Sequence, residues 1–199
     1  MLKVGLTGSI AVGKTFVCQV LAEVGCHVLD ADHTAREVVK PNTSGWVEIR
    51  EAFGTEVFQE TGELDRGKLG AIVFADEQKR QLLNSIIHPL VIEEQNKWMA
   101  KKEAEDPDSI AVIDAALMIE SGGYKRFDKL IVVWCRPEVQ IGRLIKRNFL
   151  SREEAEKRIA SQMSQEEKKT YADYLIDTSE GFESSRQQTE NLFKQLKRL

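Results

Sequence analysis

The chain has 199 residues, 28 basic and 32 acidic for a net charge of −4, and 42% of it is hydrophobic. This excludes a disordered chain, and it excludes a general nucleic-acid binder, whose affinity rests on an excess of Lys and Arg. No apolar run approaches roughly eighteen residues, and Lys3 and Lys14 interrupt the apolar N-terminus; neither a membrane span nor a signal peptide fits, and a cytoplasmic location is expected.

Leu2 to Thr7 is a short apolar run. It precedes a glycine-containing turn, and from Gly13 onward apolar residues recur at Phe16, Val17, Val20, Leu21 and Val24. The pattern predicts strand, loop and helix, with Gly25 closing the helix. His27-Val28-Leu29 reads as a second strand ending in Asp30-Ala31-Asp32, which completes a βαβ unit with parallel strands. Between residues 43 and 105 helical spacing prevails: Trp46, Ile49 and Phe53, then Leu69, Ile72 and Val73, then a long pattern from Gln78 to Lys102. This segment reads as a helical insertion, and Pro89 predicts a kink or a break within it. Ile110 to Ile113 and Leu130 to Trp134 are β-branched runs suited to buried parallel strands, and Tyr174-Leu175-Ile176 reads as a fifth strand. Residues 151–169 balance five basic against five acidic residues and read as solvated helix, and a final amphipathic helix runs from about Glu183 to Lys197. The expected fold is a three-layer α/β sandwich in one compact unit. Cys18, Cys26 and Cys135 are odd in number and form no CxxC pair, so they read as small buried apolar residues.

Gly8-Ser9-Ile10-Ala11-Val12-Gly13-Lys14-Thr15 satisfies GxxxxGK[ST] between a predicted strand and a predicted helix, the context this phosphate-binding loop requires. Its glycines let backbone N–H groups and the positive helix end face a phosphate, Lys14 reaches the β and γ phosphates, and the Thr15 hydroxyl meets a magnesium ion. The loop alone names no substrate. A guanine-reading Asn-Lys-x-Asp is missing, since the only Asn-Lys pair, Asn96-Lys97, continues as Trp98-Met99 on a predicted helix.

Asp114 ends an apolar strand, where a carboxylate could hold a water of the magnesium shell or simply terminate the strand. Asp30 and Asp32 follow the second strand at the carboxyl edge of the sheet. On an extended segment their spacing puts both side chains on one side, one facing an acceptor hydroxyl and the other orienting it or contacting metal-bound water; the competing reading is helix N-capping. From Lys125 to Arg147, seven basic residues against Asp128 and Glu138 leave a local +5, for which polyphosphate is a natural counterpart. Arg143 and Arg147, spaced i and i+4, form a clamp for phosphate oxygens on the approach to a mobile lid, with a solvated helix face as the competing reading. His27 and His33 read as structural or exposed, while His88 stays open between a structural and a functional role.

These residues resemble the dephospho-coenzyme A kinases. The resemblance rests on Gly5-Leu6-Thr7-Gly8 running into the loop, Asp30-Ala31-Asp32, His88-Pro89, Leu117-Met118-Ile119-Glu120, and Arg143-Leu144-Ile145-Lys146-Arg147. Ser151 to Gln162 and Ala172-Asp173-Tyr174-Leu175-Ile176-Asp177 extend it over nearly the whole chain. It implies a P-loop kinase fold with a five-stranded parallel sheet: a core of about 1–40, 108–137 and 171–199, a helical acceptor-binding region of about 41–107, and a lid of about 138–170. The implied reaction moves a phosphoryl group from magnesium-ATP to the ribose 3′-hydroxyl of dephospho-coenzyme A, giving coenzyme A and ADP. Lys14, Asp32 and Arg143 would be catalytic, with Asp32 as general base. Residues Gly8 to Phe16 and Arg147 would bind ATP, and Asp32, His88 and Glu120 the acceptor. Thr15, with Asp114 or Asp30 through water, would hold the magnesium. Ser9, Ala11 and Val12 stand where the family usually has Gly, Gly and Ser, and Ala116 where it usually has Pro. Another small-molecule or nucleoside kinase is the nearest alternative, and a nucleotide-dependent switch or binding module the more distant one.

Overall fold

The computed structural model describes residues 1–199. Five strands, β1 (Leu2–Thr7), β2 (His27–Asp30), β3 (Ile110–Asp114), β4 (Lys129–Trp134) and β5 (Tyr174–Asp177), form one parallel sheet in the order β2-β3-β1-β4-β5. β1 lies at its centre, with Leu2 opposite Ile110 on one side and Val4 opposite Lys129 on the other. Parallel neighbours require long crossovers, here supplied by α1 (Lys14–Glu23), α6 (Pro137–Asn148), α7 (Arg152–Ala160) and α8 (Gln165–Lys169) among others, with α9 (Phe182–Leu196) closing the chain.

β3 and β4 read as continuous apolar runs because both of their faces are covered. Val4, Leu6, Val112, Ile131, Val133 and Ile176 share one cluster with Val17 and Leu21 of α1 and Leu192 and Leu196 of α9. Each such aliphatic side chain contributes about 1.5–3 kcal/mol on burial. Cys26 and Cys135 belong to this cluster, as expected of small apolar residues. Burial pushes the Cys26 thiol up to about 12. It also raises that of Cys135, against the opposing charge of Arg143.

Where the sequence suggests one compact unit, the residues divide into two: Met1–Leu29 with Lys102–Leu199, and Asp30–Lys101. The reason lies in the apolar clusters, which share no residue. In the second unit, α2 (Ala31–Glu37), α3 (Ser44–Phe53), α4 (Arg66–Ala75) and most of α5 (Glu77–Glu105) gather Val38, Val39, Ile49, Phe53, Val57, Leu69 and Ile86. The three helical patterns of the sequence correspond to α3, α4 and α5. No break occurs at Pro89, which lies inside the continuous α5. Leu83, Ile86, Ile87, Leu90 and Val91 pack into the cluster on both sides of the proline, and this packing holds the turn that lacks one backbone donor.

Candidate active site

β1 stops at Thr7 and α1 starts at Lys14, so residues 8–13 form the loop at the carboxyl end of the central strand. Gly8 has φ 157°, and a side chain there would run into the Val133 carbonyl. Gly13 has φ 95° and is the N-cap of α1, with no side chain bonded to the helix start. The first N–H groups of α1 are thereby left for an anion, where the helix dipole also favours one.

Of the residues that depart from the family pattern, Ser9, Ala11 and Val12 make side-chain contacts, while Ala116 acts through its backbone carbonyl. Val12 is buried in the sheet cluster. Ala11 takes φ 61°, a left-handed conformation that costs a non-glycine residue about 1–2 kcal/mol. Ile10 and Ala11 pack against Ile141, Leu144 and Ala155 of α6 and α7, which offsets part of that cost. Ser9 is buried, and its Oγ donates to the Met163 carbonyl at 3.3 Å. Ala116, in the segment after β3, offers a carbonyl that accepts from Thr7 Oγ1 at 3.1 Å.

Lys14 Nζ lies 3.0 Å from Asp114 Oδ1, with both side chains mostly buried. Oδ1 accepts no well-aligned hydrogen bond, so the lysine is its electrostatic partner without saturating it. Arg143 reaches the loop from α6. Its Nη1 donates to Thr178 Oγ1 at 2.8 Å and to the Val12 carbonyl at 3.4 Å, and its Nη2 donates to the Thr178 carbonyl at 2.7 Å. The Thr178 hydroxyl also donates to the Val12 carbonyl at 2.6 Å. Arg147 does not join it: it is exposed and bonds Asn148 through Nε.

The basic segment is not one patch. Lys125 and Arg126 lie over Tyr124 and Phe127, Lys129 pairs with Asp173, and Arg136 pairs with Glu180. Because the segment runs through a turn, a strand and a helix, its side chains diverge.

Asp30 and Asp32 do not share an extended segment. Asp30 is the N-cap of α2, and its Oδ1 accepts from the N–H groups of Asp32 at 2.7 Å and His33 at 3.3 Å. A carboxylate satisfying two first-turn donors starts the helix at once, so Asp32 falls in its first turn, exposed. His33 is exposed beside Glu37, and His88 is exposed on α5. Glu120 is committed to Lys168, whose Nζ lies 2.8 Å from each carboxylate oxygen. Lys168 lies in the stretch the sequence reads as solvated, yet it is fully buried.

Thr178, Gln140, Gln162 and Lys168 escape the sequence reading. Thr178 follows the last strand at the same carboxyl edge as the loop, a position that could have flagged it. The others carry no local signature.

Residues 2–184 match the family model described as dephospho-CoA kinase. A dephospho-CoA kinase of Bacillus cereus is 44% identical over 191 residues, covering 96% of this chain and 95% of that one. One of Syntrophus aciditrophicus is 39% identical over 196 residues, covering 98% and 83%. Among solved structures, a Thermus thermophilus protein superposes with a TM-score of 0.83 at 26% identity, over 98% of this chain and 96% of that one. With the phosphate-binding loop at the centre of the sheet and a match of this extent, the chain belongs to the dephospho-CoA kinases, the ATP-dependent family of the final step of coenzyme A biosynthesis.

Proposed function

We propose that the chain transfers the γ-phosphoryl group of ATP to the ribose 3′-hydroxyl of dephospho-coenzyme A, with the donor held on the loop from Gly8 to Phe16. The observation that carries this reading is the convergence of Lys14, Asp114 and Arg143 on that loop. Phosphoryl transfer needs little covalent chemistry from a protein; positioning and charge stabilisation do most of it. Lys14 stabilises charge on the phosphates, and Arg143, fixed by Thr178 beside Val12 and Gly13, turns its remaining N–H groups to the donor. Arg147 enters only by leaving Asn148.

The residues present fit a magnesium ion. The exposed Thr15 hydroxyl opens α1, and Asp114 Oδ1 is a buried carboxylate oxygen still short of hydrogen bonds. Thr15 would hold the ion directly and Asp114 through water; bound there, magnesium neutralises charge on the phosphate oxygens. Asp30 is a poorer candidate, since its Oδ1 already caps α2.

The acceptor roles rest on the motif match: Asp32 takes the proton of the hydroxyl, and His88 and Glu120 bind the acceptor. We place the reaction in the cytoplasm, where its donor is abundant; no helix is long and apolar enough to cross a membrane.

Release of ADP from magnesium-ATP, compared across dephospho-coenzyme A, adenosine, nucleoside monophosphates and pantetheine phosphate, tests the proposal. Turnover confined to the first supports it; turnover with a nucleoside monophosphate but not with dephospho-coenzyme A overturns it.

A further inference from the structure

Lys168, on α8, is 0% exposed. A buried ammonium is tolerated only when its three donors find acceptors. Here its Nζ lies 2.8 Å from Glu120 Oε1, 2.8 Å from Glu120 Oε2 and 2.9 Å from the Ala116 carbonyl. Each of these partners is bonded onward, to the phosphate-binding loop or to the last residue of the strand that leads into it. The Ala116 carbonyl also accepts from Thr7 Oγ1 at 3.1 Å, at the residue where β1 enters the loop. Glu120 Oε1 also accepts from the Met163 N–H at 3.3 Å, and the Met163 carbonyl accepts from Ser9 Oγ at 3.3 Å.

The bonds close a circuit through three segments distant in sequence: the loop entrance, the stretch after β3, and the link between α7 and α8. Beside it, the Ile10 N–H donates to Gln162 Oε1 at 2.8 Å, and Gln140 Nε2 donates to the Ile10 carbonyl at 2.8 Å. The entrance of the loop is therefore gripped through both backbone and side chain, and Lys168 is the cation at the junction of the circuit, paired with the Glu120 carboxylate.

We infer that Lys168 is a positioning residue for phosphoryl transfer: through Ala116, Glu120 and Met163 it fixes the path of the loop at Thr7 to Ile10, and with it the aim of the phosphate-binding N–H groups. It touches neither substrate. The assignment rests on the donor site proposed above, because a displaced loop matters to turnover only if the loop holds the phosphates.

The test compares Lys168→Met, which keeps length and apolar volume but removes the donors, with Glu120→Gln, which keeps an acceptor oxygen for the lysine, and with Leu196→Ala. Leu196 is buried in the sheet cluster and takes no part in the circuit, so it controls for loss of stability. In Lys168→Met the Ile10 backbone amide, bonded to Gln162 Oε1, should exchange hydrogen at least about tenfold faster than in wild type, while the amides in the middle of α1 keep their rates. This readout is independent of activity, so it decides the positioning of the loop even if the acceptor proves to be another molecule.

With dephospho-coenzyme A, kcat of Lys168→Met should fall about tenfold to a hundredfold, as small misplacements remote from the chemistry do, with the KM of the acceptor within about threefold. Glu120→Gln should also speed exchange of the Ile10 amide, and less far; if Lys168→Met does not fold, the exchange of this variant decides, and not its kcat, because Glu120 is also proposed to bind the acceptor. Leu196→Ala should lower the melting temperature and leave kcat at 25 °C within about twofold. Unchanged exchange of the Ile10 amide in the folded Lys168 or Glu120 variant, or a kcat loss in Lys168→Met no greater than that of Leu196→Ala at equal melting temperature, would overturn the assignment.

Discussion

Lys14 and Asp114 each limit what can be done to the other. Removing the ammonium takes away the charge that stabilises the transferring group, and it leaves a mostly buried carboxylate oxygen with no counter-charge. Lys14→Ala should therefore lower turnover by about a hundredfold or more and cost about 3 kcal/mol of stability. Adding Asp114→Asn should return the melting temperature and not the turnover; recovery of both would mean that the lysine serves the fold alone. Arg143→Ala should depress kcat about a hundredfold and ATP affinity less. Arg143→Lys should rescue it in part only, because an ammonium cannot repeat the fork onto Thr178; steady-state kinetics beside nucleotide titration separates the two effects. Asp30 and Asp32 are separable by paired measurements. Asp32→Asn should lower kcat by about a hundredfold to ten-thousandfold with a stability change of about 0.3–1 kcal/mol, from a helix dipole that loses an acidic first-turn residue. Asp30→Ala should cost about 1 kcal/mol through the lost cap while chemistry persists. Single-turnover phosphorylation and thermal melts together check both, and normal turnover of Asp32→Asn would remove it as the base.

At the scale of elements, β3 and β4 were legible because a strand buried on both faces leaves an unbroken apolar run, β1 because its short run leads straight into the glycine turn, and α1 because its periodicity starts at the loop lysine. α2 was not legible: a short helix with no apolar period is announced only by its cap, and Asp30 can equally be read as a site residue. Nor could the burial of Lys168 be read, since its partners lie 48 and 52 residues away and its neighbours in sequence are charged. The loop and Arg143 came through because their spacing encodes their geometry; Thr178 did not, because its bonds to Arg143 and Val12 are tertiary. Within α5, Pro89 removes the N–H that would bond the carbonyl one turn earlier. Pro89→Ala should stabilise the protein by up to about 3 kcal/mol in a thermal melt. It should also raise the KM for dephospho-coenzyme A if the proline sets the direction of His88.

The molecule as a whole joins two separately packed bodies, and its pH response at the alkaline end has an identifiable source. Cys26 is held protonated by burial, with its pKa pushed up to about 12 from an ordinary 9.0. A thiol whose folded pKa is raised gives stability that is fully present below pH 9 and is lost as pH rises from there toward 12. Stability should fall by up to about 1.4 kcal/mol per pH unit in that window from this group. In denaturant titrations between pH 8 and pH 10.5, Cys26→Ala should show a shallower decline than wild type; equal slopes would assign the alkaline loss to other groups.

The order of the sheet also bears on how the protein is made. β1 is synthesised first, but both of its neighbours come much later: Leu2 pairs with Ile110 and Val4 with Lys129. At typical elongation rates the first strand waits about 5–20 s for β3 to be synthesised. The helical unit from Asp30 to Lys101 has its contacts close in sequence and can fold during that wait. The phosphate-binding loop therefore leaves the ribosome early and acquires its sheet late. During that interval an apolar strand with two open edges is exposed on every nascent chain.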